Sequence, residues 1–312
     1  MPFTPIAPFE PVSADKPPNG DSWTAQIKWD GVRILTYYDG SGIRLFNRRL
    51  NERTLQYPEL QHVTTYSSAN SLIIDGEMIA LQDGKPSFHQ IMKRDSLRTA
   101  AKIAATRRNL PVAYMIFDIL YCNGEWVTGL SLRERQLLLQ NIILPNESIQ
   151  LVQNFPSGDA LFQAAEAHGL EGIVMKDLNS IYVPGGKDKR WQKIKSYQDT
   201  VAVIGGATFR HDIVNAVLLG LYNEQGQLLY IGHAGTGKLS VNDWRQLTER
   251  IKPLIIPECP FANTPERSKD AVWLAPRFTA KIRFLEWTEN GTMRQPSIQA
   301  LVDLPPQSCV FE

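Results

Sequence analysis

Lys28-Trp29-Asp30-Gly31-Val32-Arg33 follows an alternating apolar-polar run at 23–27. It brings a lysine, a carboxylate, a glycine and an arginine together at the end of a strand-like segment. A lysine among charged neighbours at a strand end suits a nucleophile toward a phosphorus centre. The same stretch suits a surface turn closed by a salt bridge. The choice depends on the rest of the chain, because such chemistry needs metal-binding carboxylates and more cations downstream.

At 312 residues and 35.2 kDa the chain has room for two domains, each with its own core. Its 43% hydrophobic and 21% charged content is that of a soluble globular protein. No apolar run reaches the length of a bilayer span, and the N-terminus lacks a basic-then-apolar leader, so a cytoplasmic protein is expected. Cys122, Cys259 and Cys309 are far apart and form no CxxC, which argues against a zinc site or a disulfide framework. The formal net charge of +1 gives no help to a nucleic-acid reading. Lys and Arg exceed Asp and Glu by two up to residue 195 and fall one short after it, so any basic face is local.

Prolines 2, 5, 8, 11, 17 and 18 exclude regular helix or central strand from the first 22 residues, leaving an extended lead-in. Strands are expected at 23–27, 32–38 and 43–47, with a hairpin turn at Asp39-Gly40-Ser41-Gly42. Residues 72–81 read as two short strands, or one kinked around Gly76. A helix over 87–106 carries a break or cap at Asp95-Ser96, and 112–120 is a buried-type strand closed by Cys122-Asn123-Gly124. Ser131 and Glu134 form a capping-box pattern opening a helix over 131–141. A second helix over 157–168 ends at Gly169, and 172–176 is a short strand. Beyond Lys195 come short strands at 201–205, 216–222 and 228–232 and a helix at 241–251. A proline-rich stretch from 253 to 276 and a strand at 281–287 follow. That texture predicts a small β-barrel, with the domain boundary near 196–200.

Several downstream groups bear on Lys28. Asp75-Gly76-Glu77 is either a hairpin turn or a carboxylate pair within a hydrophobic strand. Glu171-Gly172-Ile173-Val174-Met175-Lys176 sets a glutamate and a lysine at opposite ends of a buried strand. A hard cation such as Mg²⁺ takes one or two carboxylates and leaves positions for phosphate oxygens, a role open to Glu77 and Glu171. In Trp191-Gln192-Lys193-Ile194-Lys195, strand alternation points Lys193 and Lys195 to one face. They either solubilise an edge or neutralise a phosphate in a cleft. Phe117, before Asp118, is either a core aromatic or a platform for a base.

Taken in order, these pieces resemble the motifs of covalent nucleotidyltransferases: ATP-dependent DNA ligases, RNA ligases and mRNA capping enzymes. The carriers are Lys28-x-Asp30-Gly31-x-Arg33, Asn47-Arg48, Asp75-Gly76-Glu77, Phe117-Asp118, Glu171-Gly172-Ile173-Val174-x-Lys176 and Lys193-x-Lys195. Phe117-Asp118-Ile119-Leu120-Tyr121, Tyr182-x-Pro184-Gly185, Glu286-Trp287-Thr288-x-x-Gly291 and Arg294-x-Pro296-Ser297 bring the resemblance nearest to bacterial ligases of the LigD type, which act in non-homologous end joining. The resemblance covers nearly the whole chain. It implies an α+β fold: an ATP-grasp-like nucleotidyltransferase domain of antiparallel sheets with helices at 1–197, then an OB-fold β-barrel at 198–312.

The resemblance also assigns roles. Lys28 attacks the α-phosphate of ATP to form lysyl-AMP, with Asp30 beside it in the catalytic set. Glu77 and Glu171 hold Mg²⁺ (or Mn²⁺) or the ribose, Phe117 stacks on adenine, and Lys193 and Lys195 contact the α-phosphate. Arg33 and Lys176 belong to the nucleotide-binding set, and Arg33 and Arg48 receive the 5′-phosphate of the DNA. The resemblance implies nicked or broken double-stranded DNA as substrate, a Ku-like end-binding partner, no membrane, a monomer and a nucleoid-associated location.

The chain departs from the family pattern in three places. Asn47-Arg48-Arg49-Leu50 stands where the family has Ser-Arg-Asn-Gly, and Gly186-Lys187 where an arginine is frequent. Leu301-Val302-Asp303-Leu304 stands where the family carries Arg-x-Asp-Lys, cations that orient the leaving pyrophosphate. Slow loading of Lys28 is therefore expected, unless Arg294 or Lys281 substitutes. An NAD-dependent ligase is disfavoured by the 27 residues before Lys28 and the missing cysteine quartet. The rival readings are an RNA ligase or capping-type enzyme and a catalytically impaired nick- or end-binding protein.

Overall fold

The alternating run before Lys28 is a β-strand in the computed structural model, which describes residues 4–266 and 268–311. Pro2 of the lead-in lies outside the described residues. The chain divides into two units, Met1–Ser196 and Tyr197–Glu312.

The first unit contains β1 (Glu10–Ser13), β2 (Trp23–Ile27), β3 (Val32–Tyr38), β4 (Ile43–Asn47), β5 (Leu72–Gln82) and β6 (Lys85–Pro86). Next come α1 (Phe88–Asp95), α2 (Ala100–Arg107), β7 (Val112–Cys122), β8 (Glu125–Trp126) and α3 (Leu132–Ile142). It ends with β9 (Ile149–Leu151), α4 (Gly158–Ala167), β10 (Gly172–Asp177) and β11 (Lys187–Lys195). Among the described residues these strands form two sheets. One runs β1-β11-β10-β2; the other runs β4-β3-β5-β7-β8, with β6 on β5 and β9 on β7. Pairing is antiparallel, as expected, apart from the parallel edge pairs β1 with β11 and β7 with β9.

Period-two alternation explains why both sheets are two-faced. In the smaller sheet Ala25, Ile173, Met175 and Ile194 pack with Leu161 and Ala165 of α4. In the larger sheet Ile34, Ile74, Met78, Tyr114 and Ile116 pack with Ile91 of α1 and Leu139 of α3. The remaining faces meet through Phe9, Leu35, Tyr37, Ile73, Leu120, Tyr182 and Trp191, with Phe117 and Val174 against them. The inner cleft of this unit lies between those faces.

Local chemistry sets the ends of the elements. Ser131 accepts from the Glu134 amide while Glu134 accepts from that of Ser131, the capping box expected at the start of α3. The expected 87–106 helix is two helices, α1 capped by Ser87 and α2 starting at Ala100. Residues 72–82 form one continuous strand rather than a kinked one. The irregularities sit in its partner: Ile73 pairs with Tyr121 but Ile74 with Ile119, and Asp75 with Asp118 but Gly76 with Ile116, so Leu120 and Phe117 are extra residues in β7. Gly76 is needed for a different reason, since a Cβ there would lie 2.5 Å from the Tyr114 ring. The proline-bearing lead-in does supply a strand, β1, but at a sheet edge, where a missing amide is tolerated.

The second unit contains β12 (Gln198–Arg210), β13 (Ile213–Tyr222), β14 (Leu228–Ala234), α5 (Val241–Ile251), β15 (Ile255–Ile256), β16 (Val272–Phe284) and β17 (Ser297–Val302). Its sheet runs β14-β13-β12-β16-β15, with β17 on β16. Ile298 of β17 donates to the Thr236 carbonyl and accepts from the Lys238 amide, joining β17 to the chain just past β14 and drawing the sheet into a barrel. Val203, Leu219, Ile231, Leu247 and Ile282 fill it. The proline-rich stretch is less irregular than expected, because β16 passes through Pro276. Opposite β12, the pairing jumps from Ile204–Phe278 to Gly206–Trp273, so Pro276 lies in a bulge with no ladder bond to make.

Candidate active site

Lys28 is fixed by the backbone on both sides of it. Its amide donates to the Gly172 carbonyl at 3.0 Å, extending the β2–β10 pairing by one residue. Three residues on, a Cβ at Gly31 would lie 2.1 Å from the Met78 carbonyl oxygen, so only glycine lets the chain turn into β3 against β5. Gly172 is equally constrained: its φ is +133° and a Cβ would lie 2.1 Å from the Ile194 carbonyl oxygen. The two glycines of the lysine and glutamate motifs thus allow close backbone approach on either side of the site.

Strand register converts sequence spacing into a grid. Gly172 pairs with Lys195, Val174 with Lys193 and Lys176 with Trp191 on one side of β10. On the other side Val174 pairs with Gln26 and Lys176 with Thr24. The inner face of the smaller sheet therefore carries three rows: Lys195–Gly172–Lys28, Lys193–Val174–Gln26 and Trp191–Lys176–Thr24. Successive rows are ~7 Å apart.

The first row is ionic. Lys28 Nζ donates to Glu171 Oε2 at 2.5 Å and Lys195 Nζ lies 2.9 Å from Glu171 Oε1, so one carboxylate holds both amines. Burial acts to raise the pKa of Glu171, but Lys28 and Lys195 outweigh it and hold the carboxylate below its usual range. Glu77, half-buried beside this row, is pushed up to about 8, first by burial and then by the charges of Glu171 and Asp30, with Lys28 and Arg33 opposing. Lys193 is lowered by burial and by Lys195 and Lys28.

Two carboxylates close enough to disfavour each other's charge, both hard oxygen donors, fit a divalent cation. Each Glu171 oxygen accepts from one lysine, which leaves its second lone pair for a cation.

The third row is apolar and dry. Lys176 is 2% exposed, and its Nζ has no hydrogen-bond partner among the described residues. It lies 3.9 Å from the Trp191 ring centroid and 4.2 Å from that of Phe117, a cation–π arrangement on two faces. The bulge in β7 aims Phe117 here. Burial brings Lys176 down to about 7, against the pull of Asp118 and Asp75.

Arg33 also differs from the phosphate-receiving group expected. It donates from Nε and Nη2 to the two oxygens of Asp75 at 2.8 and 2.5 Å and from Nη1 to the Phe9 carbonyl, and its guanidinium carbon lies 5.3 Å from the Phe117 ring centroid. Its donors are committed within the protein, and despite burial Asp75 raises its pKa. Arg48, by contrast, is exposed and reaches Glu10 at 3.6 Å. Thus Lys28, Glu77, Glu171, Lys193 and Lys195 come together with Asp30 nearby, Phe117, Lys176 and Arg33 form a second cluster, and Arg48 stands apart beside Glu10.

Sequence reasoning missed three groups. Gln26 Nε2 donates to Asn154 Oδ1, and Asn154 Nδ2 to Gln136 Oε1, each at 2.8 Å, an amide chain reaching the middle row. The spacing of Gln26, two before Lys28, was the available signal. Arg135 and Asp118 form a bidentate pair, both fully buried, behind Phe117. Glu10 had no signal within its own stretch. A separate groove lined by Trp23, Arg133, Leu137, Asn154 and Phe155 contains none of the ionic row.

Comparison with known proteins agrees with this geometry. Residues 12–195 match the family model described as ATP dependent DNA ligase domain, and 210–303 that of the ATP dependent DNA ligase C terminal region. The multifunctional non-homologous end joining DNA repair protein LigD of Mycobacterium tuberculosis H37Rv is 32% identical over 301 residues, covering 93% of this chain and 37% of that protein. A DNA ligase of Archaeoglobus fulgidus is 32% identical over 247 residues, covering 75% of this chain and 44% of its own. This chain therefore spans less than half the length of these relatives. A solved mycobacterial DNA ligase D complexed with ATP and MES aligns over 98% of both chains at 29% identity, with a TM-score of 0.55. A Lig E DNA ligase shares the fold at 17% identity and a TM-score of 0.62. The two units are accordingly the nucleotidyltransferase and OB-fold domains of this architecture, and the chain belongs to the family of ATP-dependent DNA ligases.

Proposed function

We propose that this chain seals 5′-phosphate/3′-hydroxyl breaks in double-stranded DNA by way of AMP carried first on Lys28 and then on the DNA. The observation that carries the reading is the ionic row, in which Glu171 holds Lys28 and Lys195 together with Lys193 one row away. In the first step the Lys28 amine forms a P–N bond to the α-phosphorus of ATP and the bond to pyrophosphate breaks. Glu171 is the acceptor within reach of the Lys28 proton. Lys193 and Lys195 stabilise the added negative charge on the α-phosphate. AMP then passes to the 5′-phosphate of the DNA, and the 3′-hydroxyl displaces it to close the strand.

Glu77 and Glu171 would hold a divalent cation such as Mg²⁺, which neutralises phosphate charge when bound. Arg48 is the group offered to the 5′-phosphate, and Phe117 and Lys176 close the base end of the cleft. The end-joining relatives support a role in double-strand-break repair; a Ku-like partner, a nucleoid location and a monomeric state are proposed through the family resemblance alone. Among the described residues no helix is long and apolar enough to cross a membrane.

The test is α-labelled ATP with Mg²⁺. Label is expected on the wild type and not on Lys28→Ala, and equal label on both defeats the proposal. Leu301 and Leu304, standing where the family carries cations, support slow loading with normal sealing of a pre-adenylylated nick. Separate single-turnover rates for the two steps decide this, and fast loading would remove it.

A further inference from the structure

Glu10 opens the edge strand β1, paired in register with Lys187. Its Oε1 lies 3.6 Å from Arg48 Nε and its Oε2 lies 3.7 Å from Lys187 Nζ. One carboxylate thus faces two cations drawn from distant places in the sequence: the loop after β4 and the start of β11.

The contacts are loose. Both distances exceed those of a charge-assisted hydrogen bond, and the cationic side chains are 58% and 57% exposed. Exposed pairs of this kind contribute ~0–1 kcal/mol each and are weakened by salt. Glu10 therefore spreads the cations around an anion without locking them. A terminal phosphate carries about −1.5 to −2 charge at neutral pH and three acceptor oxygens, so it competes well for the same groups.

We propose that Glu10 is a tethered competitor for the 5′-phosphate: its carboxylate occupies the Arg48–Lys187 pair until a terminal phosphate displaces it. This rests on the reading that Arg48 receives the 5′-phosphate. Glu10 acts through the cations and so positions them; it touches no reacting atom. A 5′-hydroxyl end brings no phosphate to the pair and leaves Glu10 in place. Removing the carboxylate therefore strengthens binding of a 5′-phosphate nick and leaves a 5′-hydroxyl nick unchanged.

The experiment measures affinity for nicked duplexes bearing a 5′-phosphate or a 5′-hydroxyl, in chelator and at low salt, with melting curves to verify folding. Glu10→Gln should tighten binding of the 5′-phosphate nick by ~3–10-fold, an advantage that shrinks at high salt. In ATP-dependent sealing of a 5′-phosphate nick it should lower the KM for DNA with kcat little changed, and Glu10→Asp, which keeps the charge, should stay near wild type. Equal tightening on both nicks would mean a general change of surface charge, and no tightening would mean no competition; either overturns the proposal. Arg48→Ala tests the underlying reading separately. If it leaves the preference for 5′-phosphate intact, that reading fails whatever Glu10→Gln does.

Discussion

Lys28 and Lys176 lie on the same inner face of one four-stranded sheet, yet the protein treats their amines in opposite ways. Lys28 sits in the ionic row, partly open to solvent, on a carboxylate it shares with Lys195. Lys176, two rows away, has two aromatic faces and no hydrogen-bond partner among the described residues. Around it lie Asp75 and Asp118, each already held bidentately by an arginine. Those two pairs are neutral together, so a protonated Lys176 adds an uncompensated buried charge. Side-chain type did not decide the outcome; the partners reached through strand pairing did.

The largest effect expected is at the ionic end. Lys28→Ala should reduce AMP loading by ~10⁴-fold or more, because the proposed covalent bond to AMP is made at this amine. Residual loading within tenfold of wild type would mean that the comparison has the wrong lysine in the chemical role.

At the dry end the larger effect comes from the arginine behind Phe117. Arg135→Met leaves Asp118 buried without its partner and should cost about 3–5 kcal/mol in denaturant unfolding. Pairing it with Asp118→Leu should recover much of that loss, since both charges are then gone. A double variant as unstable as the single one would show that the pair matters for more than charge balance.

Lys176→Met sharpens the comparison with the opposite sign. The folded-state pKa of Lys176, about 7, lies below the ordinary lysine value of 10.5. Folding therefore disfavours its proton: the wild type loses stability as pH falls from about 10.5 toward 7, and the deficit is constant below that. Replacing it with Met should stabilise the protein by on the order of 2 kcal/mol at pH 7, with relaxation and the lost cation–π contact discounted. The gain should shrink toward alkaline pH. A gain independent of pH would mean that packing, not charge, is responsible.

The elements around Lys28 were legible in the sequence for a physical reason. Short runs rich in β-branched and aromatic residues mark strands, and 23–27, 32–38 and 43–47 are such runs set off by glycine-bearing turns, so their ends fall where expected. The α3 capping box was legible because its hydrogen bonds are local. What escaped depends on pairing between distant segments. The extra residue at Phe117 leaves no mark on composition, and Pro276 reads as a strand breaker until its bulge is seen. Glu10 gains meaning only when β1 is laid beside β11. In the site, the common face of Lys193 and Lys195 followed from parity. The isolation of Lys176 and the commitment of Arg33 to Asp75 required the second sheet.

The smallest effect isolates the aromatic faces themselves. An ammonium is attracted to a ring face, and a neutral amine is not. Phe117→Leu removes one of the two faces over Lys176 and keeps an apolar group of similar reach. It should depress the folded-state pKa of Lys176 further, so its cost has a part that appears only where the wild-type amine is protonated, below about pH 7. Arg33 also lies over this ring, at 5.3 Å, but stays charged throughout, so its share of the cost does not vary with pH. The unfolding free-energy loss for Phe117→Leu should therefore be about 0.5–1 kcal/mol greater at pH 6 than at pH 8.5. A loss equal at both pH values would mean that the rings merely fill space around Lys176.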